Sequence, residues 1–494
     1  MRPYPGRKHL YISLSLSFFI CFIAFLSRLT WVFLLGEGLV VFSALLLGLF
    51  ILHKRERFIN FLYWTALINL GATSLGTLIL YFQFELSDPG SFHSYIDIWN
   101  IESYMVALAQ AYVVLFCAAL IFFGQRIQTG KYSINRLFLI ISNIRMSQIR
   151  PMITFSVVVA SLQSYYLIIG DVGFGGFQTT DFASNPLIGF VNVLGTSVLV
   201  VIGICLGLFR RLTLPYHATI VGLILVELVW FFLFGRRSIV FAFLLVFIFF
   251  FVSRKDKNIN LRQLVLALVL LIVMVRPLTQ AFFAIRFINN QSGIDYRATI
   301  DQASTYLEKI DEVDFGQFSE KESQNLVTRG FLLYSLSIMI REIHENGENN
   351  LYGESIIYSF LMSTPSNYLV DKTNFIAAED LYRQRYPNFF DSPLEIDMAA
   401  SMYNDAFIDF GALGLFLYAF LFYLLNRLIV YFSIYISGFN ILSAVVISGS
   451  LLFLALNSGE AQWTGIFTVF RNILVILAVI GFINTFIIGT GKAR

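Results

Sequence analysis

The residues able to do chemistry in this chain are arginines and carboxylates standing where apolar runs end. The clearest case is Phe232-Leu233-Phe234-Gly235-Arg236-Arg237-Ser238, which joins the apolar runs 217–234 and 239–253 with almost no loop. Two arginines on so tight a bend add nothing to packing. A guanidinium is a planar fork that binds phosphate oxygens in pairs and never loses its charge. At the outer membrane–water boundary, where basic residues are normally rare, such a pair suits a phosphate whose lipid tail lies in the bilayer.

Further ionisable groups lie within or beside apolar runs. Glu227 and Arg276 fall inside them, where a charge costs about 2.5–3.5 kcal/mol on insertion scales and marks a functional residue by default. Arg286, Asp405, Asp409, Glu460 and Arg471 stand at or near outer ends of runs. Arg276, Gln280 and Phe283 recur at helical spacing on one face leading to Arg286, and Pro277 frees backbone carbonyls beside Arg276. Each has a plainer reading. Glu227 and Arg276 can neutralise one another, Arg471 can snorkel to the interface, Arg286 can simply begin a loop, and Arg236 or Arg237 can face headgroups. His344, in Arg341-Glu342-Ile343-His344-Glu345, reads as a solvated face residue before it reads as a base. Tyr352, Tyr382 and Phe389 are among several loop aromatics able to stack on sugars, although interfacial belts are aromatic too.

The elements that must position these groups are membrane helices. Of 494 residues 57% are hydrophobic and 13% charged, more apolar surface than a soluble domain needs. The chain is therefore expected to be an all-α, polytopic membrane bundle of about twelve transmembrane helices. Runs of spanning length fall near 9–28, 32–52, 58–84, 104–124, 151–170, 188–209, 217–234, 239–253, 263–285, 406–425, 441–457 and 469–490. With the N-terminus inside, the inner segments hold 20 of the 34 lysines and arginines, and the short outer loops 85–103 and 171–187 hold none. This positive-inside pattern places both termini in the cytoplasm and the Arg236–Arg237 bend outside. The N-terminal apolar run has no small-residue cleavage site after it and reads as a retained first helix.

Organisation follows: helices one to nine over 1–285, one large outer loop over 286–400 between the ninth and tenth helices, and helices ten to twelve over 401–494. The loop holds 9 basic and 18 acidic residues. It shows helical patterning at 298–312 and 323–345. Its run Phe331–Ile340 is too short to span and suits a segment tucked against the bilayer, so the loop reads as a cap over the outer mouth. Residues 131–150, basic and apolar by turns, read either as an interfacial helix on anionic lipid or as a cytoplasmic linker. Cys21, Cys117 and Cys205 lie inside apolar runs as small hydrophobes. No nucleotide-binding or metalloprotease motif occurs, and five histidines leave a His-based metal centre improbable. No metal, cofactor or nucleic acid is expected.

Many helices, a large late outer loop, a Gly-Arg-Arg hairpin before it and Tyr403-Asn404-Asp405-Ala406-Phe407-Ile408-Asp409-Phe410-Gly411-Ala412-Leu413-Gly414 after it resemble the bacterial oligosaccharide repeat-unit polymerases of the Wzy type. The two glycines would let that helix approach a neighbour closely. The related O-antigen ligases place a His-Asn pair shortly before the Gly-x-x-Gly. Here Tyr403 precedes Asn404, and no histidine follows His344, which favours polymerase over ligase.

The resemblance implies a multi-pass protein of the bacterial cytoplasmic (inner) membrane in surface polysaccharide synthesis. Its donor and acceptor would be polyprenyl-pyrophosphate-linked glycans, its surroundings membrane lipid, and its working partners a chain-length regulator and a flippase. An acceptor hydroxyl would attack the anomeric carbon with pyrophosphate leaving, without a metal. Arg236, Arg237, Arg286, Arg276 and Arg471 would bind pyrophosphate. Asp405 would be the base, with Asp409, Glu460 and His344 behind it. Asp405 is preferred because it begins a helix at the water boundary, where it stays ionised and reachable. A transporter or flippase of lipid-linked sugars is the main alternative from another class. It would be expected to show two similar halves, and none are visible.

Overall fold

The computed structural model describes residues 7–87, 102–128, 133–168, 186–233, 236–254, 273, 333–345, 347, 349–364, 401–436 and 440–483. Every element among them is helical: α1 (Arg7–Ser27), α2 (Thr30–His53), α3 (Phe61–Ser87), α4 (Ser103–Ile127), α5 (Ile134–Ser142), α6 (Met146–Ile168), α7 (Pro186–Gly207), α8 (Leu214–Leu233), α9 (Arg236–Ser253), α10 (Leu333–His344), α11 (Glu354–Ser363), α12 (Met402–Ile436), α13 (Ile441–Leu456) and α14 (Trp463–Phe482). Among the described residues nine helices are long and apolar enough to cross a membrane, with two shorter apolar ones at Ser238–Ser253 and Ile441–Leu456. A helix thus stands at eleven of the twelve expected runs. The twelfth, 263–285, lies outside the described residues apart from Val273.

Boundaries moved where apolar patterning continues past a charge. The run expected at 406–425 is helical from Met402 to Ile436, and the one expected at 469–490 begins at Trp463. Short polar clusters between helices form 3-10 turns at Arg55–Arg57, Phe209–Arg211 and Ser458–Glu460. In the first, Arg57 is a capping group. Its Nη1 donates to the Phe50 carbonyl at the end of α2 (2.6 Å), and its guanidinium lies over the Phe50 ring at 3.5 Å. Burial lowers its pKa from the ordinary arginine value.

Contacts divide the chain into two modules. The first comprises α1–α4, α10, α11, α12 as far as Leu428, the 458–460 turn and α14 as far as Arg471. Its α4 touches α1, α2, α3 and α10. Small polar residues join its helices, since a hydroxyl gains most where no water competes. Ser43 of α2 is hydrogen-bonded to Ser13 and Ser17 of α1 at 2.7 and 3.0 Å, and Ser74 of α3 donates to Glu37 at 2.6 Å.

α10 differs from its expected setting. Leu336, Ser337, Ile338, Met339 and Ile340 are all buried, and the helix packs on α4. It is covered by protein rather than tucked against the bilayer. Ser335 ties it there by accepting from Asn404 Nδ2 of α12 at 2.7 Å, a partner that lipid cannot offer, while Ser337 bonds back to the Leu333 carbonyl of its own helix at 2.8 Å.

The second module holds α5–α9, α13 as far as Phe453 and the remainders of α12 and α14. Its core joins Val159 and Ala160 of α6, Val198 and Ile202 of α7 and Leu223 of α8. Within 131–150 the described residues form α5 and the start of α6. α5 is an amphipathic helix whose apolar face, Ile134, Leu137 and Ile141, is fully buried, and it packs against α9. Cys21, Cys117 and Cys205 are free and buried, as expected of small hydrophobes.

Candidate functional site

The two motifs found in the sequence belong to different modules. In the second, Leu233 ends α8 and Arg236 opens α9, so only two residues join them. The hairpin is rigid at its α8 side: Trp230 and Phe231 are buried, and Trp230 Nε1 donates to Asn192 Oδ1 of α7 at 3.4 Å. Arg236 and Arg237 thus occupy the first turn of an 18-residue helix. A helix N-terminus is already the positive end of its dipole, and a cation there is unfavourable by about 0.3–1 kcal/mol. Two basic residues at that end oppose stability, and a helix N-terminus favours an anion.

In the first module the Tyr403–Gly414 motif is a fold-back. α12 is broken at Phe410 and Gly411, the latter at φ 59° and ψ −145°, a conformation essentially confined to glycine. Beyond the break Gly414 lies against the earlier stretch of the same helix, and a Cβ there would overlap the Ala406 carbonyl oxygen. The close approach expected of the glycines is therefore made within α12 itself. Gly411 serves the turn and Gly414 the contact.

The break presents Asp409 to α11. The Leu351 and Tyr352 N–H groups donate to the carbonyls of Ile408 and Asp409 at 3.0 Å each. The N-cap of α11 is Gly353, which has no side chain to satisfy the helix's first N–H groups. Asp409 does this from another helix: its carboxylate accepts from Ser355 N at 3.1 Å and Ile356 N at 3.2 Å, and also from the Tyr418 hydroxyl. At the other end of α11, Arg471 Nη1 donates to the Ser363 carbonyl. An anion at the N-terminus and a cation at the C-terminus match the signs of the helix dipole. Asp409, expected as a reserve base, and Arg471, expected on pyrophosphate, both seat α11. A carboxylate already filled by two N–H groups and a hydroxyl has little capacity left for a substrate proton.

Asp405 does lie in the first turn of α12, but its side chain is only 3% exposed. It is enclosed by protein rather than open at the water boundary, because the motif's helix is drawn inside the module. Beside it Asn404 is held by Ser335 and its Oδ1 accepts no hydrogen bond. Glu460 ends the 458–460 turn, where Ser458 accepts from Asn69 of α3 at 3.0 Å. His344, at the exposed end of α10, stands 6.2 Å from the Phe407 ring, centre to centre. Arg276 and Arg286 lie outside the described residues. Glu227 accepts from Gln163 Nε2 at 3.2 Å, and among the described residues its Oε1 accepts no hydrogen bond. Among the described residues no group of three His, Cys, Asp or Glu side chains could hold a metal ion.

Three contributors were missed in the sequence. Tyr418 lies nine residues past Asp409, a spacing that looks unrelated until the helix breaks between them. Gln110 of α4 is fully buried, with neither Oε1 nor Nε2 hydrogen-bonded; an amide in mid-span was the available signal. Arg28 was counted within an apolar run, although its place at the α1–α2 turn sets it on the expected outer side.

The apolar helices and enclosed polar groups define the chain as a multi-pass helical membrane protein. Comparisons with protein-family models, curated proteins and solved structures give no match.

Proposed function

We propose that this chain is an oligosaccharide repeat-unit polymerase acting on polyprenyl-pyrophosphate-linked glycans at the outer face of the bacterial cytoplasmic membrane. The observation that carries this reading is the Arg236–Arg237 pair in the first turn of α9. It is a cationic step added to the positive end of a membrane helix, and a lipid pyrophosphate is an anion of matching chemistry.

In the proposed reaction an acceptor hydroxyl oxygen bonds to the anomeric carbon while the bond from that carbon to the pyrophosphate oxygen breaks. The hydroxyl proton passes to a carboxylate, and the electron pair leaves with the pyrophosphate. Pyrophosphate is a good leaving group and needs no general acid. The negative charge growing on it is what Arg236 and Arg237 would stabilise, with Arg276 and Arg286 assigned to the same work by the sequence. Asp405 is the proposed base. It is a carboxylate other than the one α11 takes up, and it stands in the first turn of α12. Direct displacement would invert the anomeric centre.

The test is surface glycan resolved on a gel from cells lacking the chain, rescued by the wild type or by Arg236→Ala. Glycan stopped at one repeat unit in the deletion, restored by the wild type but not by inserted Arg236→Ala, supports the proposal. Absent glycan with lipid-linked units accumulating would replace it with export or ligation. One observation favours export as the second reading: Glu37 and Glu227 are buried in apolar helices, each with one carboxylate oxygen lacking a hydrogen bond among the described residues, and buried carboxylates within membrane helices can relay protons.

A further inference from the structure

We propose that a cavity at the α1–α2 end of the first module binds a saccharide ring. Its volume is about 470 Å³, and Phe25, Arg28, Tyr104, Tyr112, His344 and Glu345 line it, within the range of about 300–1,000 Å³ typical of small-molecule sites. These residues come from α1, α4 and the end of α10, and none is needed for the pyrophosphate chemistry above.

The backbone at Arg28 is the first reason. The residue ends α1 with its N–H on the Ala24 carbonyl at 2.9 Å, and its φ is 55°. This is the left-handed position after a helix that glycine usually fills, and an L side chain there costs about 1–2 kcal/mol. The chain nonetheless holds a long cation at that point. Its guanidinium lies 4.3 Å from the centre of the Tyr104 ring.

The second reason is the polar pattern. The Tyr104 hydroxyl donates to Glu345 Oε1 at 2.7 Å, so one tyrosine bears the arginine on its face and fixes the carboxylate at its tip. A guanidinium and a carboxylate lining one cavity present donors and acceptors with no net charge from the pair. A lone phosphate would be attracted by one and repelled by the other. Neighbouring hydroxyls on a sugar ring can use both, donating to Glu345 and accepting from Arg28.

Aromatic walls complete the match. Phe25 stands 5.8 Å from Tyr104, and Tyr112 is backed by Phe407 at 5.2 Å. Ring faces suit the C–H side of a pyranose. That the saccharide is a glycan handled by this protein rests on the polymerase proposal; the recognition of a sugar ring does not.

The experiment uses the full chain in phosphatidylcholine nanodiscs, free of sugar-headed detergents. The probe is the oligosaccharide released by mild acid from the host cell's own surface polysaccharide, titrated by calorimetry. Wild type should bind saturably. Glu345→Gln and Arg28→Asn should each bind about tenfold more weakly, the loss of one hydrogen bond to a charged group. Asparagine is chosen because it tolerates the left-handed backbone, and equal elution volumes and melting temperatures establish that both variants are folded. No binding by wild type, unchanged affinity in both variants, or displacement of the probe by glycerol phosphate would overturn the inference. Weakened binding in the variants of a protein whose deletion leaves surface glycan unaltered would support the sugar site while removing the polymerase proposal. Deletion that stops glycan at one unit, with unchanged binding in both variants, would do the reverse.

Discussion

Replacing Asp409 should release α11 without unfolding the bundle. The carboxylate satisfies two first-turn N–H groups and the Tyr418 hydroxyl, and no side chain at Gly353 can take over. A hydrogen bond to a charged partner contributes about 1.5–3 kcal/mol. The two N–H bonds act on one helix end and are not fully additive, so Asp409→Ala should lower the free energy of local opening by about 3 kcal/mol. That is about a hundredfold rise in the opened population. Hydrogen exchange read at the amides of Ser355 and Ile356 measures this opening directly. Asp409→Asn keeps one acceptor oxygen and should speed exchange about tenfold. The amides of Val113 and Val114 in α4 should not change. If exchange at 355 and 356 is as slow in Asp409→Ala as in wild type, the carboxylate does not hold α11 and the clamp described above is wrong.

Other perturbations separate structural from chemical roles. Gly411→Ala forces a Cβ into a conformation that costs about 1–3 kcal/mol, and should lower the melting temperature of the purified protein; an unchanged value would mean the break in α12 is absent. Arg471→Ala should accelerate exchange in the last turn of α11 by up to about tenfold while leaving Ser355 as in wild type; equal effects at both ends would mean the helix opens as one piece. Asp405→Asn should abolish polymer on a glycan gel with the protein still inserted, and full activity would move the base elsewhere. Arg236→Ala should slow single-turnover transfer by about 10²–10³-fold; a normal rate would take the α8–α9 bend out of the chemistry.

Much of the fold was legible because membrane helices announce themselves by length alone. The charges between them also marked where turns fall, as at Arg55–Arg57 and at Arg236. What composition did not reveal was which apolar or polar surface faces protein. Ser335 and Ser337 make α10 look like a weak amphipathic segment, whereas the Ser335 hydroxyl ties it to Asn404 of α12. The site was legible as a set of residue types and less so as roles. Asp405 and Asp409 sit four apart and look like equivalents on one helix face. A left-handed glycine two residues past Asp409 sends one of them to cap another helix. Arg471 likewise reads as an interfacial cation, because its partner is a carbonyl 108 residues earlier, and a backbone carbonyl leaves no mark on composition. Arg28 escaped notice because a single arginine at the end of an apolar run is common, while its positive φ is a property of conformation.

The clamp on α11 also orders events during synthesis. Ser355 leaves the ribosome 54 residues before Asp409, and Ser363 precedes Arg471 by 108 residues. At about 5–20 residues per second, α11 waits roughly 5–20 s for its second anchor. Until Asp409 emerges, after about 3–11 s, the helix has neither its anion nor its cation, and one turn of exposed N–H groups must be met by water. α11 is therefore among the last parts of its module to settle, fastened only when the closing membrane helices have been made.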